Sequence, residues 1–323
     1  MPSLKEIKTR IASVQSTRKI TSAMKMVASS KLHHAQTAIQ NMLPYENMLE
    51  HILKSFLVSM HDAQTPYDEE RQEIKHVALI VFSSNSSLCG GYNANVIRMM
   101  QNAVDEYTKK GVEDILVYPI GRKVMEKAKK LGYHVAGDFV ELADKPSAAP
   151  CAKIAEELAS KFAKHELDKV EMIYHHFKSA GTQILTRSTF LPIDLSTEKI
   201  GSNNDRDLSS NQVTAKAQAY LREHGQSEDR QDQEVKPLND DFIVEPDLES
   251  VLSVLIPKQL NLMVYTALLD SNASEHAARM VAMQTATDNA DEILKELKLQ
   301  YNKSRQAAIT SEMLDIVGGS VNN

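Results

Sequence analysis

The chain has 323 residues and no tryptophan, and its aromatic content is only 5%. So low a share suits a chain rich in extended helix. There are two cysteines, Cys89 and Cys151. Two thiols give no metal quartet and no disulfide framework, which points to a reducing compartment. The longest apolar run, Val77 to Phe82, is far short of the roughly 20 residues that span a bilayer. No apolar signal sequence precedes Pro2. Glycine and proline are missing from Ser3 to Leu43 and again from Lys258 to Val317. An uninterrupted helix over the second stretch would reach about 90 Å, against about 30 Å for a small domain. A globular core cannot bury such a helix, so it must project or pair. Its obvious partner is the other end of the chain, which predicts an antiparallel stalk on a compact body.

The helical reading has local support. Ser3-Leu4-Lys5-Glu6 is a capping box, with each side chain positioned to accept from the other residue's backbone N–H. Leu4, Ile7, Ile11 and Val14 then mark one face. The stripe turns polar at Arg18 and Thr21 and resumes as Ala28, Leu32, Ala35, Ile39 and Met42. Pro44 is a possible kink in a helix that continues to about His61. At the other end Leu262, Leu269, Ala273, Met280, Met283, Ala290, Leu294, Leu297 and Tyr301 keep roughly heptad spacing. Thr266, His276 and Thr287 fall on the same seam, and a lone histidine there reads as a packing residue rather than a ligand. Asp247 is a candidate cap, Pro257 a kink or restart, and Gly318-Gly319 the stop. Ile309, Met313 and Leu314 make the final turns too apolar for open water, so that tip is expected inside a partner.

The middle alternates strand and helix. His76–Phe82, Asp114–Pro119, Tyr133–Val140, Lys169–Phe177 and Thr182–Pro192 read as strands, the last two a hairpin around Ser179-Ala180-Gly181. Helical patterns cover Asn93–Lys109, Arg122–Leu131 and Ala152–His165. The fold class is therefore α/β: a long antiparallel coiled coil of the N- and C-terminal helices plus a Rossmann-like α/β domain. The expected divisions are an N-terminal helix over 1–61, an α/β domain over 75–195, a polar insertion over 196–245 and a C-terminal helix over 246–323. The stretch from Thr197 to Asp241 is rich in Ser, Asn, Asp and Gln. It reads as an exposed, mobile insertion in which only Val213–Glu223 has a helical pattern. Because it has little apolar content, deleting 202–235 is expected to leave the rest folded.

Recognisable active-site chemistry is missing. There is no G-x-x-x-x-G-K-[ST], no G-x-G-x-x-G, no G-x-S-x-G and no H-E-x-x-H. Cys89-Gly90-Gly91 sits after a strand, where a phosphate loop would, but reads as a tight turn. His33-His34 and His175-His176 are adjacent pairs, which share neither a helix face nor a strand face. Charge is uneven. Lys5, Lys8, Arg10, Arg18, Lys19, Lys25 and Lys31 stand against Glu6 alone, on a chain whose net charge is −6. Three readings of this basic helix stay open: a solvated face, a nucleic-acid or membrane surface, and a dock for an acidic protein.

Motifs at both ends carry a resemblance. Ile11-Ala12-Ser13-Val14-Gln15, Thr17 to Ile20 and Ala23-Met24-Lys25-Met26-Val27-Ala28 resemble the opening of the gamma subunit of F-type ATP synthases. The run from Ala273 to Met283, Ala286-Thr287-Asp288-Asn289-Ala290 and Tyr301-Asn302-Lys303 to Glu312 resemble its end. Leu88-Cys89-Gly90-Gly91 and Phe177 to Gln183 add two matches between. The resemblance implies an antiparallel coiled coil turning inside a ring of three alpha and three beta subunits. It also implies an α/β body held with the epsilon subunit on the membrane c-ring, peripheral to the cytoplasmic side of a bacterial inner membrane. It implies a non-catalytic subunit with no cofactor, whose polar seam positions face the ring. By the same match Arg18, Lys19, Met24 and Lys25 lie near acidic loops of the beta subunits. Arg279, Gln306, Thr310 and Glu312 lie where the axle meets its bearing and catch loops. Asn85-Ser86-Ser87 departs from the Asp, then Lys or Arg, then Gly that many members carry. The insertion is longer than usual and lacks the paired cysteines of plant-type relatives. From the residues alone, a coiled-coil scaffold with an α/β head and a nucleotide-dependent enzyme remain the alternatives.

Overall fold

The computed structural model describes residues 3–59, 66–69, 71, 73–193, 206, 244–245 and 247–321. The elements in order are α1 (Leu4–Ser59), β1 (His76–Phe82), α2 (Tyr92–Lys109), β2 (Asp114–Ile120), α3 (Arg122–Lys130), β3 (His134–Val135), α4 (Val140–Asp144), α5 (Ala148–Ala163), β4 (Lys169–Ser179), β5 (Thr182–Leu191) and α6 (Leu248–Val321). Contacts divide the chain into two units, 30–278 and 1–29 with 279–323.

The unit formed by 30–278 contains a five-stranded sheet in the order β3-β2-β1-β4-β5. β1 pairs parallel with β2 and β4, β2 parallel with β3, and β4 antiparallel with β5. Alternation along β1 sends Val77, Leu79 and Val81 to a core completed by Val96, Met100 and Tyr107 of α2 and Val124 and Ala128 of α3. Ala78, Ile80 and Phe82 enter the opposite core with Ile154, Leu158 and Phe162 of α5 and Ile256, Leu260, Val264 and Leu268 of α6. Both faces are covered, so β1 reads as a continuous apolar run and not as an alternating one. Full burial of each such Val, Leu or Phe contributes roughly 1.5–3 kcal/mol.

Several local expectations hold. Ser3 N–H donates to Glu6 Oε2 at 2.9 Å and Glu6 N–H to Ser3 Oγ at 3.2 Å. Ser250 N–H donates to Asp247 Oδ1 at 2.8 Å, capping α6. Others are corrected. The third strand is only His134–Val135, because Gly137 takes φ 71° and turns the chain beneath the Phe139 ring into the short α4. As the sequence reading allowed, α1 continues past Pro44 and α6 past Pro257. Gly318-Gly319 does not stop α6, which runs on to Val321. A glycine costs a helix only about 1 kcal/mol, small beside the cooperativity of a helix this long. One stretch of α6 within 250–314 is apolar enough by length and composition to cross a membrane, although no single unbroken apolar run revealed it; half of it is buried inside the protein.

The polar insertion, including Val213–Glu223, lies outside the described residues except at Arg206 and at 244–245. Arg206 departs from the exposed reading, because its side chain is 2% exposed between Asp270 and Glu46. Deleting 202–235 would therefore strip two buried carboxylates of a cation. Any cost of that deletion to folding is therefore expected from charge and not from apolar content.

At the N-terminal edge of the sheet, Asp168 ties β1 to β4. It accepts from Lys75 N–H and His76 N–H at 2.8 Å each and from Arg71 Nη1 at 2.9 Å. The Arg71 guanidinium lies 4.4 Å over the Phe162 ring. Burial alone would raise the Asp168 carboxyl, but these donors hold it below the usual range. A depressed folded pKa stabilises above the unfolded value of about 3.9, and that contribution is lost as pH falls through the folded value. Asp168→Asn is expected to cost about 1.5–3 kcal/mol at pH 7, since the lost bonds involve a charged acceptor. In denaturant titrations the gap to wild type should close as pH falls below about 4. A gap constant across that window would exclude the charged-acceptor role.

Candidate functional site

The unit of residues 3–29 with 279–321 is built from two antiparallel helical segments. Ile7 and Ala28 are buried on α1, and Met283, Ala290, Leu294 and Leu297 on α6. Between them the seam is polar. Thr21 Oγ1 and Thr287 Oγ1 are 2.8 Å apart, and each also lies within reach of a carbonyl of its own helix, Arg18 and Met283, so one hydroxyl donates across the seam while the other donates to its carbonyl. One turn away Arg18 forms an ion pair with Asp291. Thr21 is buried in the seam and so departs from the implied outward reading, whereas Arg18 stays exposed while it pairs with Asp291. Short threonine side chains permit close approach there, and paired hydroxyls leave no buried polar atom unsatisfied.

The other contact residues suggested by the resemblance are distributed over the same unit. Lys19 is exposed, and Met24 and Lys25 are half-buried on α1. Arg279 is half-buried on α6, while Gln306, Thr310 and Glu312 are exposed further along. The Thr310 hydroxyl donates to the Gln306 carbonyl at 2.9 Å. Surrounding them are large apolar side chains the sequence reading passed over: Ile20, Met26 and Val27 on α1, with Val281, Ile293 and Leu299 on α6. The available signal was their displacement from the seam positions Ile7, Val14, Thr21 and Ala28. Ile309, Met313 and Leu314, singled out from sequence as too apolar for water, are exposed. Such surface next to basic side chains fits a protein partner better than free solvent.

In the body, a parallel sheet of this order binds ligands outside the carboxyl ends of its strands. Here that edge is filled from within. Gly121 has φ 107°, and a Cβ there would meet the Ser83 carbonyl oxygen at 2.1 Å. The first N–H groups of α3 are already used: Arg122 donates to Asn85 Oδ1 at 2.8 Å, Lys123 to the Ser84 carbonyl at 3.2 Å and Val124 to Ser83 Oγ at 3.1 Å. Asn85, the departure noted in the sequence, also donates to the Val140 carbonyl at 2.8 Å and Asp144 Oδ2 at 2.7 Å. Ser84 and Asn93 bond each other across the turn that holds Cys89. Leu268, Ser271, Asn272 and Glu275 of α6 close the crevice against Phe82, Ser83, Tyr92 and Ile120, around a cavity of about 10 Å³. That is room for one water, whereas small-molecule pockets span about 300–1,000 Å³. Among the described residues no group of three or more His, Cys, Asp or Glu side chains is arranged to hold a metal. Both cysteines are free and buried, and burial pushes the Cys151 thiol up to about 12.

Comparison with known proteins accounts for this combination of paired helices and a closed α/β body. The family model described as ATP synthase matches residues 3–321. The ATP synthase gamma chain of Phocaeicola vulgatus is 51% identical over 321 residues, covering 99% of this chain and all of that one. The gamma chain of Flavobacterium johnsoniae is 40% identical, covering 99% and 98%. Among solved structures, a chain of the Euglena gracilis mitochondrial ATP synthase aligns with TM-score 0.59 at 17% identity, covering 98% of this chain and 93% of that one. A chain from the central stalk and c-ring of the Tetrahymena thermophila enzyme aligns with TM-score 0.51 at 22% identity, covering 83% and 99%. These two support the fold, and with the full-length match to curated relatives the conclusion is that the chain belongs to the ATP synthase gamma chain family.

Proposed function

We propose that this chain is the central-stalk rotor subunit of an F-type ATP synthase. It turns within a ring of alpha and beta subunits and couples transmembrane proton flow to ATP synthesis or hydrolysis. The carrying observation is the full-length match to gamma chains, together with paired terminal helices that expose basic and apolar side chains on one unit. On this reading the helical unit is the shaft, the body meets the epsilon subunit and the c-ring, and the chain is held peripherally at the cytoplasmic face of the cell membrane. Residues 1–61 and 246–323 act as the shaft helices, 75–195 as the body and 196–245 as an appended segment. The chain performs no catalysis and holds no cofactor. Its asymmetric surface sets the state of catalytic sites on the surrounding ring. Lys19, Met24 and Lys25 meet acidic loops of the beta subunits, with Arg18 contributing to the same surface while paired to Asp291. Arg279, Gln306, Thr310 and Glu312 meet the bearing and catch loops. The direct test is affinity purification of the tagged chain from its own cells. Recovery of a six-membered ATPase ring in stoichiometric amount is expected. Recovery of the chain without that ring would refute the rotor role.

Nucleotide binding follows the ring and not this chain. The purified chain is expected to bind no ATP at millimolar concentration by equilibrium dialysis. Saturable binding, abolished by Gly91→Leu, would reassign the crevice beside β1 as a nucleotide site.

Met24 lies beside Lys25 on the face assigned to acidic loops. Met24→Lys would add charge-assisted hydrogen bonds of about 1.5–3 kcal/mol each to one rotary state. Holding that state raises the barrier to leaving it. The expected result in reconstituted vesicles is a lower ratio of protons pumped to ATP hydrolysed, with subunit content unchanged. An unaltered ratio would remove Met24 from the contact surface.

A further inference from the structure

One turn of α6 in the body is bonded on several sides. Asp270 accepts from Arg206 through Nε at 2.8 Å and Nη2 at 3.1 Å, and lies 2.7 Å from His176 Nδ1 of β4. Arg206 Nη1 reaches Glu46 Oε2 of α1 at 3.3 Å. Tyr92 Oη of α2 donates to the Ser271 carbonyl at 3.0 Å and also contacts its hydroxyl. Asn272 Nδ2 donates to the Ala143 carbonyl of α4 at 2.9 Å. Ser274 Oγ donates to the His175 carbonyl at 3.2 Å. The His175 ring stacks on Tyr92 with centroids 4.4 Å apart, and burial pushes it down to about 4, so it stays neutral. Burial pushes the Glu46 carboxyl up while Arg206 pulls it down.

We infer that residues 270–274 are a rotational lock between the shaft helix and the body, with Arg206 as its buried counter-charge. This rests on the rotor reading above. Successive side chains leave a helix about 100° apart, so the bonds of positions 270, 271, 272 and 274 spread over about 200° of its circumference. A twist of about 30° would move a side-chain tip at about 5 Å radius by about 3 Å, beyond hydrogen-bond reach. Apolar contacts on the same helix are non-directional and tolerate sliding. The directional bonds are therefore the part of this interface that resists torque. The bidentate arginine is its strongest member, and it lets Glu46 and Asp270 be buried together.

The test uses Arg206→Met, Arg206→Lys and Tyr92→Phe in the full-length chain and in the assembled complex. In the chain, amide exchange at 268–276 is expected to rise at least tenfold for Arg206→Met and less for Arg206→Lys. Protection of β1 and β2 should be unchanged. In vesicles, Tyr92→Phe and Arg206→Lys should assemble normally and hydrolyse ATP without load at rates within twofold of wild type. Against an opposing proton gradient their ratio of protons pumped to ATP hydrolysed should fall at least twofold, a readout that a purely structural role would not move. Unchanged exchange in Arg206→Met would show that no lock exists. An unchanged loaded ratio in both conservative variants would show that it carries no torque. The rotor reading itself is judged by the wild-type complex, which fails to pump if that reading is wrong.

Discussion

The packing of the first part of α6 on the sheet is the interaction on which the body depends. A parallel sheet has two faces to bury. α2 and α3 cover one, while α5 and α6 share the other, with Ile256, Leu260, Val264 and Leu268 in the same core as Ile80 and Phe82. The same helix then crosses the carboxyl ends of the strands and fills the crevice where this topology elsewhere receives a nucleotide. One packing decision thus completes a core and closes a ligand site. It leaves the α/β body as a holder for a helix.

Polar side chains are used where an apolar seam would have served stability alone. Thr21 meets Thr287, and Arg18 meets Asp291, in the unit of terminal segments. Asp270, Ser271, Asn272 and Ser274 meet the body in the other. Buried or half-buried polar pairs add little net stability compared with well-packed apolar residues, but they are directional. For a subunit whose work is to turn, directionality is the useful property. It fixes register and azimuth, where apolar contact fixes only proximity.

The places where expectation and structure part are instructive. Local rules were reliable at caps: Ser3, Glu6 and Asp247 do what their types and spacing require. They were less reliable at the C-terminal stop, since Gly318-Gly319 lies within α6. A long helix spreads the local cost over many bonds and tertiary contacts. The insertion was judged by its lack of apolar residues, a criterion blind to a single arginine that finds two carboxylates.

By itself the sequence determined the two long terminal helices, their antiparallel pairing and most strands and helices of the body, though not α4 or the short extent of β3. Hydrophobic period, caps and the absence of breakers are local or nearly local signals, and β1 and α2 were legible almost to the residue. Family membership was legible too, because its motifs are contiguous. Only the tertiary structure decided that Thr21 turns inward, that Arg18 pairs with Asp291 at the exposed edge of the seam, and that α6 closes the crevice. It alone brought Arg206 to Asp270, 64 positions away, and to Glu46, 160 positions away. The physical reason is that an ion pair or hydroxyl pair leaves no periodic trace in a chain. Its partners are chosen by the packing of whole elements, after periodicity has already fixed what those elements are.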